Sequence, residues 1–274
     1  MLVEIFKAIF FGIVEGVTEW LPISSTGHMI LLNEFLRLDV SESFWELFEV
    51  VIQLGAIFAV LVLFFDKLSP FGRVKSAAQK RSTWRLWLKV AFAVLPSAIV
   101  GALLDDFLDE HFYNYLTVAA ALIVYGIAFI LIDRKKDKAG ICVNSEEIGF
   151  GRAFLIGFFQ MLALIPGTSR SGSTILGGMM FGLSRSVAAE FSFFMAIPTM
   201  AGASALKVLK FTLEGAKFTP YEILLLAVGS TLAFLVSLVC IKYLVEYVKR
   251  HSFSAFGVYR IILGTLVLAY FLLF

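Results

Sequence analysis

EGVTEWLPISSTGH, residues Glu15–His28, cuts into an apolar run that opens at Leu2, and the reading of that interruption decides the architecture. Leu2 to Val14 falls short of the roughly 20 apolar residues a helix needs to cross a bilayer core. Pro22 and a Ser/Thr/Gly cluster follow before a second short apolar piece resumes. Phe150 to Ile165 repeats the pattern, running into Pro166 and then Gly167, Thr168, Ser169, Arg170, Ser171, Gly172, Ser173 and Thr174. Non-helical backbone at membrane depth is tolerated only where protein or water satisfies its amides and carbonyls. Both segments are therefore expected to be re-entrant helical hairpins whose tips are buried in protein.

The rest of the chain supplies the membrane. Of 274 residues 59% are hydrophobic and only 16% charged, far more apolar than a soluble domain requires, so the excess must face lipid. Six runs are long enough to span: Phe44 to Phe65, Trp84 to Leu104, Tyr115 to Ile132, Ser186 to Leu209, Tyr221 to Val245 and Phe253 to Phe274. The expected fold is an all-α polytopic membrane protein, six transmembrane helices plus two re-entrant helical hairpins, in one domain over residues 1–274. Met1 to Phe11 carries Glu4 and Lys7 and lacks a small-residue cleavage site, so it is expected to stay in the mature protein.

A shift of 145 residues places Gly12 on Gly157, Glu15 on Gln160, Ser24 on Ser169 and Gly27 on Gly172. Each half, about 1–132 and 150–274, then holds one hairpin and three spans. Three is odd, so the second half is expected upside down relative to the first, an inverted-topology repeat.

Charge sets the orientation. Lys67, Arg73, Lys75, Lys80, Arg81 and Arg85 crowd one connection and Arg134, Lys135, Lys136 and Lys138 another, while Lys249 and Arg250 end a third span; all are expected in the cytoplasm. Asp105, Asp106, Asp109 and Glu110 suit the outer face. Lys207, Lys210 and Lys217 fall outside against the bias. On this reading the first hairpin enters from outside and the second from the cytoplasm. A net charge of +2 gives no reason to expect nucleic acid. Cys142 and Cys240 have no metal-like or CxxC spacing.

Glu15 and Glu19 are four apart and share a helix face, and ionisable groups inside a membrane segment are costly enough to be functional by default. If a helix restarts after Pro22, Ser25 and His28 come to one side, as an activated nucleophile and its base require. In the second interruption, glycines allow close backbone approach, the hydroxyls of Ser169 and Ser171 and a helix N-terminus offer donors, and Arg170 supplies a planar charged fork for phosphate oxygens. Paired carboxylates beside a phosphate invite Mg²⁺ or Ca²⁺, with Glu15 and Glu19 as ligands; the same acids could instead orient His28. Phosphoryl transfer is the chemistry that fits. No GxxxxGK[ST] loop, HExxH helix or GxSxG elbow is present. Glu49 and Glu190 read equally as supports for the tips and as acids near helix starts, and Gln53 likewise.

EGVTEWLPISSTGH and PGTSRSG, with FEVVIQLG around Glu49 and EFSF around Glu190, closely resemble the bacterial undecaprenyl-pyrophosphate phosphatase family, the bacitracin-resistance type. The resemblance covers essentially the whole chain. It implies a multi-pass enzyme of the bacterial inner membrane that removes the terminal phosphate of undecaprenyl pyrophosphate, recycling the lipid carrier for peptidoglycan. It also implies a site open toward the outer face and dependence on a divalent cation. Carried over residue by residue are Glu15, Glu19, Ser24, Ser25, Thr26 and His28 from the first motif and Ser169, Arg170 and Ser171 from the second.

The roles expected are Glu15, Glu19, Ser25, His28 and Arg170 in catalysis, with Ser24, Thr26, Ser169, Arg170 and Ser171 holding the substrate. Ser25 would attack and His28 shuttle the proton; His28 as nucleophile and a directly activated water remain as alternatives. The rival class is a lipid flippase or transporter, because inverted repeats with broken segments are a transporter architecture. Self-association as a homo-oligomer stays open.

Overall fold

The computed structural model describes residues 2–72, 75–135, 142 and 144–273. Arg73, Lys136 and Lys138, and the side chains of Asp105, Asp106, Asp109 and Lys135, lie outside the described residues. Twelve α-helices account for nearly all of the rest: α1 Leu2–Thr18, α2 Ser25–Leu36, α3 Glu42–Val51, α4 Gln53–Leu63, α5 Phe65–Leu68, α6 Ala77–Phe112, α7 Tyr115–Lys135, α8 Phe150–Leu162, α9 Arg170–Met180, α10 Arg185–Leu213, α11 Pro220–Arg250 and α12 Ser254–Leu273. Six apolar stretches are long enough to cross a membrane, Glu42–Leu63, Ala77–Leu104, Tyr115–Arg134, Arg185–Leu213, Pro220–Arg250 and Ser254–Leu273, matching the six read from sequence.

Local chemistry fixes the helix starts. Ser41 and Ser184 cap α3 and α10 by accepting from Phe44 N and Val187 N. Thr219 and Glu222 form a reciprocal capping box on α11, with Pro220 in the first turn, where its missing N–H costs nothing. Three spans are interrupted at mid-length: α3 gives way to α4 at Ile52, α6 contains Pro96 and α10 contains Pro198. A proline inside a helix removes a hydrogen bond and crowds the carbonyl four residues back. Hydroxyls beside these breaks turn back on the backbone, Ser97 Oγ donating to Val94 O at 2.9 Å and Thr199 Oγ1 to Met195 O at 2.8 Å.

The helices flanking the two interruptions are shorter. At 1.5 Å per residue, α1, α2, α8 and α9 reach only about 26, 18, 20 and 17 Å. The start of α1 and the end of α2 are tied together: Glu4 Oε2 accepts from Asp39 N at 2.9 Å and Lys7 Nζ donates to Arg37 O at 2.7 Å. Outside the second pair, the segment before α8 meets the turn after α9, Cys142 N donating to Gly182 O at 3.1 Å and Ser184 N to Cys142 O at 3.0 Å.

Helix partners exchange between the halves. α1 packs on α11 and α8 on α6; α4 packs on α11 and α10 on α6; α7 packs on α12. Glycines bring backbones together at these seams. A Cβ on Gly126 would sit 2.7 Å from Gly257 O and one on Gly257 2.6 Å from Gly126 O, so α7 and α12 meet through facing glycines. Gly12 rests against Gly229 O and Gly157 against Ala93 O in the same way.

Candidate active site

Both interruptions end in a serine forced into an unusual backbone conformation. Ser24 and Ser169 each have φ of 73°, the left-handed region that L side chains rarely occupy. Each serves as N-cap of the next helix, Ser24 Oγ accepting from Gly27 N at 3.2 Å and Ser169 Oγ from Gly172 N at 3.1 Å. Strain of this kind persists only where surrounding structure over-determines it. Two helix N-termini are thereby brought to one place, each directing the positive end of its dipole and its unpaired first-turn amides there.

The turns touch. Arg170 Nη2 lies 2.7 Å from Glu19 Oε1, a buried ion pair between residues 151 apart in sequence. Ser171 Oγ donates to Leu21 O at 3.2 Å and lies 3.2 Å from Ser169 Oγ. Arg170 stacks over Trp20, 5.6 Å from the ring centroid, and Trp20 is itself buried edge-on against Phe193. The other terminal nitrogen of Arg170, Nη1, donates to Ser192 O at 2.8 Å and Ser192 Oγ at 3.1 Å. Its Nε is buried with no partner among the described residues.

Glu19 has a second partner. Ser25 Oγ donates to Glu19 Oε2 at 2.6 Å, so one carboxylate is held between a guanidinium and a hydroxyl. Glu15, one helical turn earlier, is fully buried, and neither of its oxygens accepts a hydrogen bond among the described residues. Glu15, Glu19, Ser25, Thr26, Ser169 and Arg170 all line one cavity of about 700 Å³. It runs from a buried floor at Gln160, Ser97 and Thr199 to a rim at Leu103, Tyr113, Glu46, Lys207 and Lys210. Between floor and rim the wall is largely apolar, with Val94, Ala98, Leu164, Pro198 and Leu206 contributing. All three interrupted spans contribute residues to its lining.

His28 does not join Ser25. Its Nδ1 lies 2.7 Å from Ser24 O and must donate to that carbonyl; Nε2 lies 2.6 Å from Tyr259 OH on α12. The ring is thus turned from the cavity, and the group beside the Ser25 hydroxyl is Glu19 rather than the imidazole expected from the three-residue spacing. That spacing places two side chains near one another on a helix without deciding which outside group each will meet. Ser24 and Ser171 also stand off the cavity, one capping, the other joining the turns. Glu49 is on the cavity wall, where Tyr113 OH donates to it at 3.1 Å. Glu190 is elsewhere, bonded to Lys67 at 2.7 Å and Ser145 Oγ at 2.6 Å.

The sequence reading passed over Arg260, which is 0% exposed in α12. Its guanidinium donates to Pro22 O at 3.1 Å, to Gly167 O and Thr168 O at 2.9 Å each, and at 3.4 Å to Ala121 O and Leu122 O. A lone arginine in the apolar run from Phe253 was the available signal, since a charge inside a spanning segment marks function by default. Gln160 was noted only as the repeat partner of Glu15. It donates to Ser97 Oγ at 2.6 Å and Thr199 Oγ1 at 3.1 Å.

Comparison with known proteins follows the same lines. The chain is 54% identical over 273 residues to the undecaprenyl-diphosphatase of Enterococcus faecalis, covering 99% of both chains. It is 57% identical over 272 residues to undecaprenyl-diphosphatase 1 of Clostridioides difficile, covering 99% of this chain and 98% of the other. With the undecaprenyl-diphosphatase of Acetivibrio thermocellus the identity is 56% over 272 residues and 99% of each chain. Residues 8–266 match the family described as bacitracin resistance protein BacA, and the chain belongs to that family.

Proposed function

We propose that this protein is an undecaprenyl-diphosphatase of the bacterial cytoplasmic membrane, releasing the terminal phosphate of undecaprenyl pyrophosphate to leave the monophosphate carrier and orthophosphate. The observation that carries the reading is Ser25 Oγ, hydrogen-bonded at 2.6 Å to a carboxylate that is itself held by Arg170 in a cavity floored by polar groups. Binding and transport of a diphosphate need charge complementarity but no activated hydroxyl, so this arrangement favours hydrolysis over translocation.

Ser25 attacks the terminal phosphorus as its proton passes to Glu19; an Oγ–P bond forms and the bond from phosphorus to the bridging oxygen breaks, freeing the lipid monophosphate. Water then attacks the seryl phosphorus and the Oγ–P bond breaks; the proton held by Glu19 returns to Ser25 Oγ, and the water's own protons leave with the orthophosphate or pass to solvent, restoring both groups. Arg170 holds Glu19 through Nη2 and lines the cavity beside Ser25, where its fixed positive charge attracts the phosphate oxygens. The first-turn amides of α2 and α9 receive the charge that grows on the equatorial oxygens. His28, tied to Ser24 O and Tyr259, steadies the capped turn.

The donor set fits a divalent cation. Glu15 is a buried carboxylate that accepts no hydrogen bond, an arrangement that a hard cation would relieve. No cluster of three or more His, Cys, Asp or Glu suited to a metal occurs among the described residues. Glu15 and Glu19 would therefore hold Mg²⁺ or Ca²⁺ together with substrate phosphate oxygens, the usual arrangement for Mg²⁺ at phosphates. When bound, the ion neutralises charge on the diphosphate.

We read α1–α2 and α8–α9 as re-entrant hairpins of an inverted repeat. Their lengths, the contacts near their ends, the paired serines at φ 73° and the exchange of helix partners all support this. The cavity rim lies at the ends of α6 and α10 away from Lys67, Lys80, Arg81 and Arg85, and the excess of basic residues at the other ends supports an opening toward the outer face. The test is phosphate release by purified protein from a polyprenyl diphosphate, with and without chelator. Substrate bound without any phosphate released would sink the reading.

A further inference from the structure

Arg260 is assigned no part in the reaction above, yet it hydrogen-bonds the backbone of both interruptions at once. Nη1 takes Pro22 O, three residues beyond Glu19, and Nη2 takes Gly167 O and Thr168 O, immediately before Ser169 and Arg170. Among the described residues its partners are five carbonyls and the Tyr125 ring, with its carbon 5.6 Å from the ring centroid, and no carboxylate is among them. A guanidinium buried without a counter-charge is expensive, and such a residue inside a membrane segment is retained for what it does. Lysine could not replace it in kind, because only the planar fork presents separate donors in fixed directions to two peptides on opposite sides.

The surroundings are cut to admit this group. A Cβ on Gly172 would lie 3.1 Å from Nη1, so the glycine leaves room for it at the first turn of α9. The neighbouring residue Tyr259 holds His28 Nε2 at 2.6 Å, bringing the same short stretch of α12 against the first turn of α2. The strut therefore meets each interruption at the root of its reacting group.

We propose that Arg260 is a positioning residue of the phosphatase: the width of its guanidinium sets the spacing of the two turns and hence the register of Glu19 and Ser25 against Arg170. The proposal rests on the diphosphatase reading of the site. A displacement of about 1 Å at reacting groups costs on the order of 100-fold in rate, and this is the loss expected when the fork is replaced by a point charge.

The experiment compares wild type with Arg260→Lys, purified in detergent, on a short-chain polyprenyl diphosphate, recording kcat, KM and the melting temperature. Arg260→Lys should melt within a few degrees of wild type and keep KM within about threefold, because the charge remains, while kcat falls about 100-fold. A folded Arg260→Lys protein with kcat near wild type overturns the proposal. So does one whose loss of kcat merely follows its loss of folded fraction, or one that cannot be recovered folded, since either assigns Arg260 to folding alone. Phosphate release by the wild type separates the two claims: its absence overturns the functional reading and this proposal with it, whereas its presence beside a fully active variant overturns the proposal only.

Discussion

Arg170 Nη2 sits 2.7 Å from Glu19 Oε1, joining the two interrupted segments of the chain by opposite charges inside the protein. Removing one partner of such a pair strands the other, which costs about 3–5 kcal/mol, while removing both is far cheaper. Glu19→Gln and Arg170→Gln should each lower the melting temperature, and the double variant should recover most of that loss. Turnover should be abolished in all three, because in the proposed reaction Glu19 takes the proton of Ser25 and Arg170 supplies positive charge to the phosphate. Thermal unfolding and phosphate release on the four proteins check this; a double variant as unstable as the sum of the singles would mean that the pair is not coupled.

Ser25 and His28 should separate sharply. Ser25 Oγ lies on a carboxylate at the cavity wall, whereas both ring nitrogens of His28 are bonded to groups away from it. Ser25→Ala should lose activity by about 10⁴-fold or more, as expected for an absent nucleophile. His28→Gln should stay within about tenfold of wild type, since it loses a hydrogen bond that steadies the turn rather than a proton carrier. Acid quench with substrate labelled in its terminal phosphate should trap label on Ser25. Label recovered on His28, or wild-type activity in Ser25→Ala, would defeat the assignment.

The six spans were legible because lipid imposes one simple rule on length and apolarity, and every long run in the sequence obeys it. The two interruptions were legible for the complementary reason: Pro22 and Pro166, each with a following Ser/Gly cluster, cannot continue a helix. What the sequence could not give is which groups across the fold each side chain meets. Spacing put Ser25 near His28, but Glu19 lies six residues before Ser25, across a turn whose course no periodicity describes, and it is the turn that sets their 2.6 Å contact. Tyr259 and Arg260 were hidden for a related reason. They stand far along the chain from either motif, Arg260 meeting backbone carbonyls and Tyr259 the His28 ring, contacts that leave no trace in side-chain pattern. Lys207 and Lys210, which read against the orientation rule, line the cavity.

Glu15 governs the cation in the proposed reaction. Buried with no donor to its oxygens among the described residues, it is costly as a carboxylate, a cost that a bound cation would offset. Glu15→Gln should therefore leave the melting temperature equal or higher in chelator, yet raise the Mg²⁺ concentration for half-maximal activity by at least about tenfold, in line with the loss of a charged ligand. Electron paramagnetic resonance of Mn²⁺ with methylenediphosphonate provides a readout apart from turnover: wild type should immobilise the ion and Glu15→Gln should not. Equal Mn²⁺ binding by both would remove Glu15 from the metal site.

Lys207 and Lys210 should act on arrival rather than on chemistry. Both line the rim, Lys207 3.2 Å from Glu46 on the facing helix, at the opposite end of the cavity from Gln160. A diphosphate carries several negative charges, and a cleft with cationic groups at its rim and low-dielectric walls raises the on-rate of an anion by roughly 10–10³-fold. Lys207→Gln/Lys210→Gln should lower kcat/KM about tenfold at low ionic strength while kcat at saturation changes little, because neither lysine has a part in the proposed chemical step at Glu19 and Ser25. Near 1 M salt the screening length shrinks to about 3 Å, so the difference between the proteins should nearly vanish. The measurement is kcat/KM against ionic strength for both proteins on the same polyprenyl diphosphate. A deficit that persists unchanged in high salt would mean that the lysines bind the phosphate directly, and no deficit at low salt would mean that the rim charge does not guide the substrate at all.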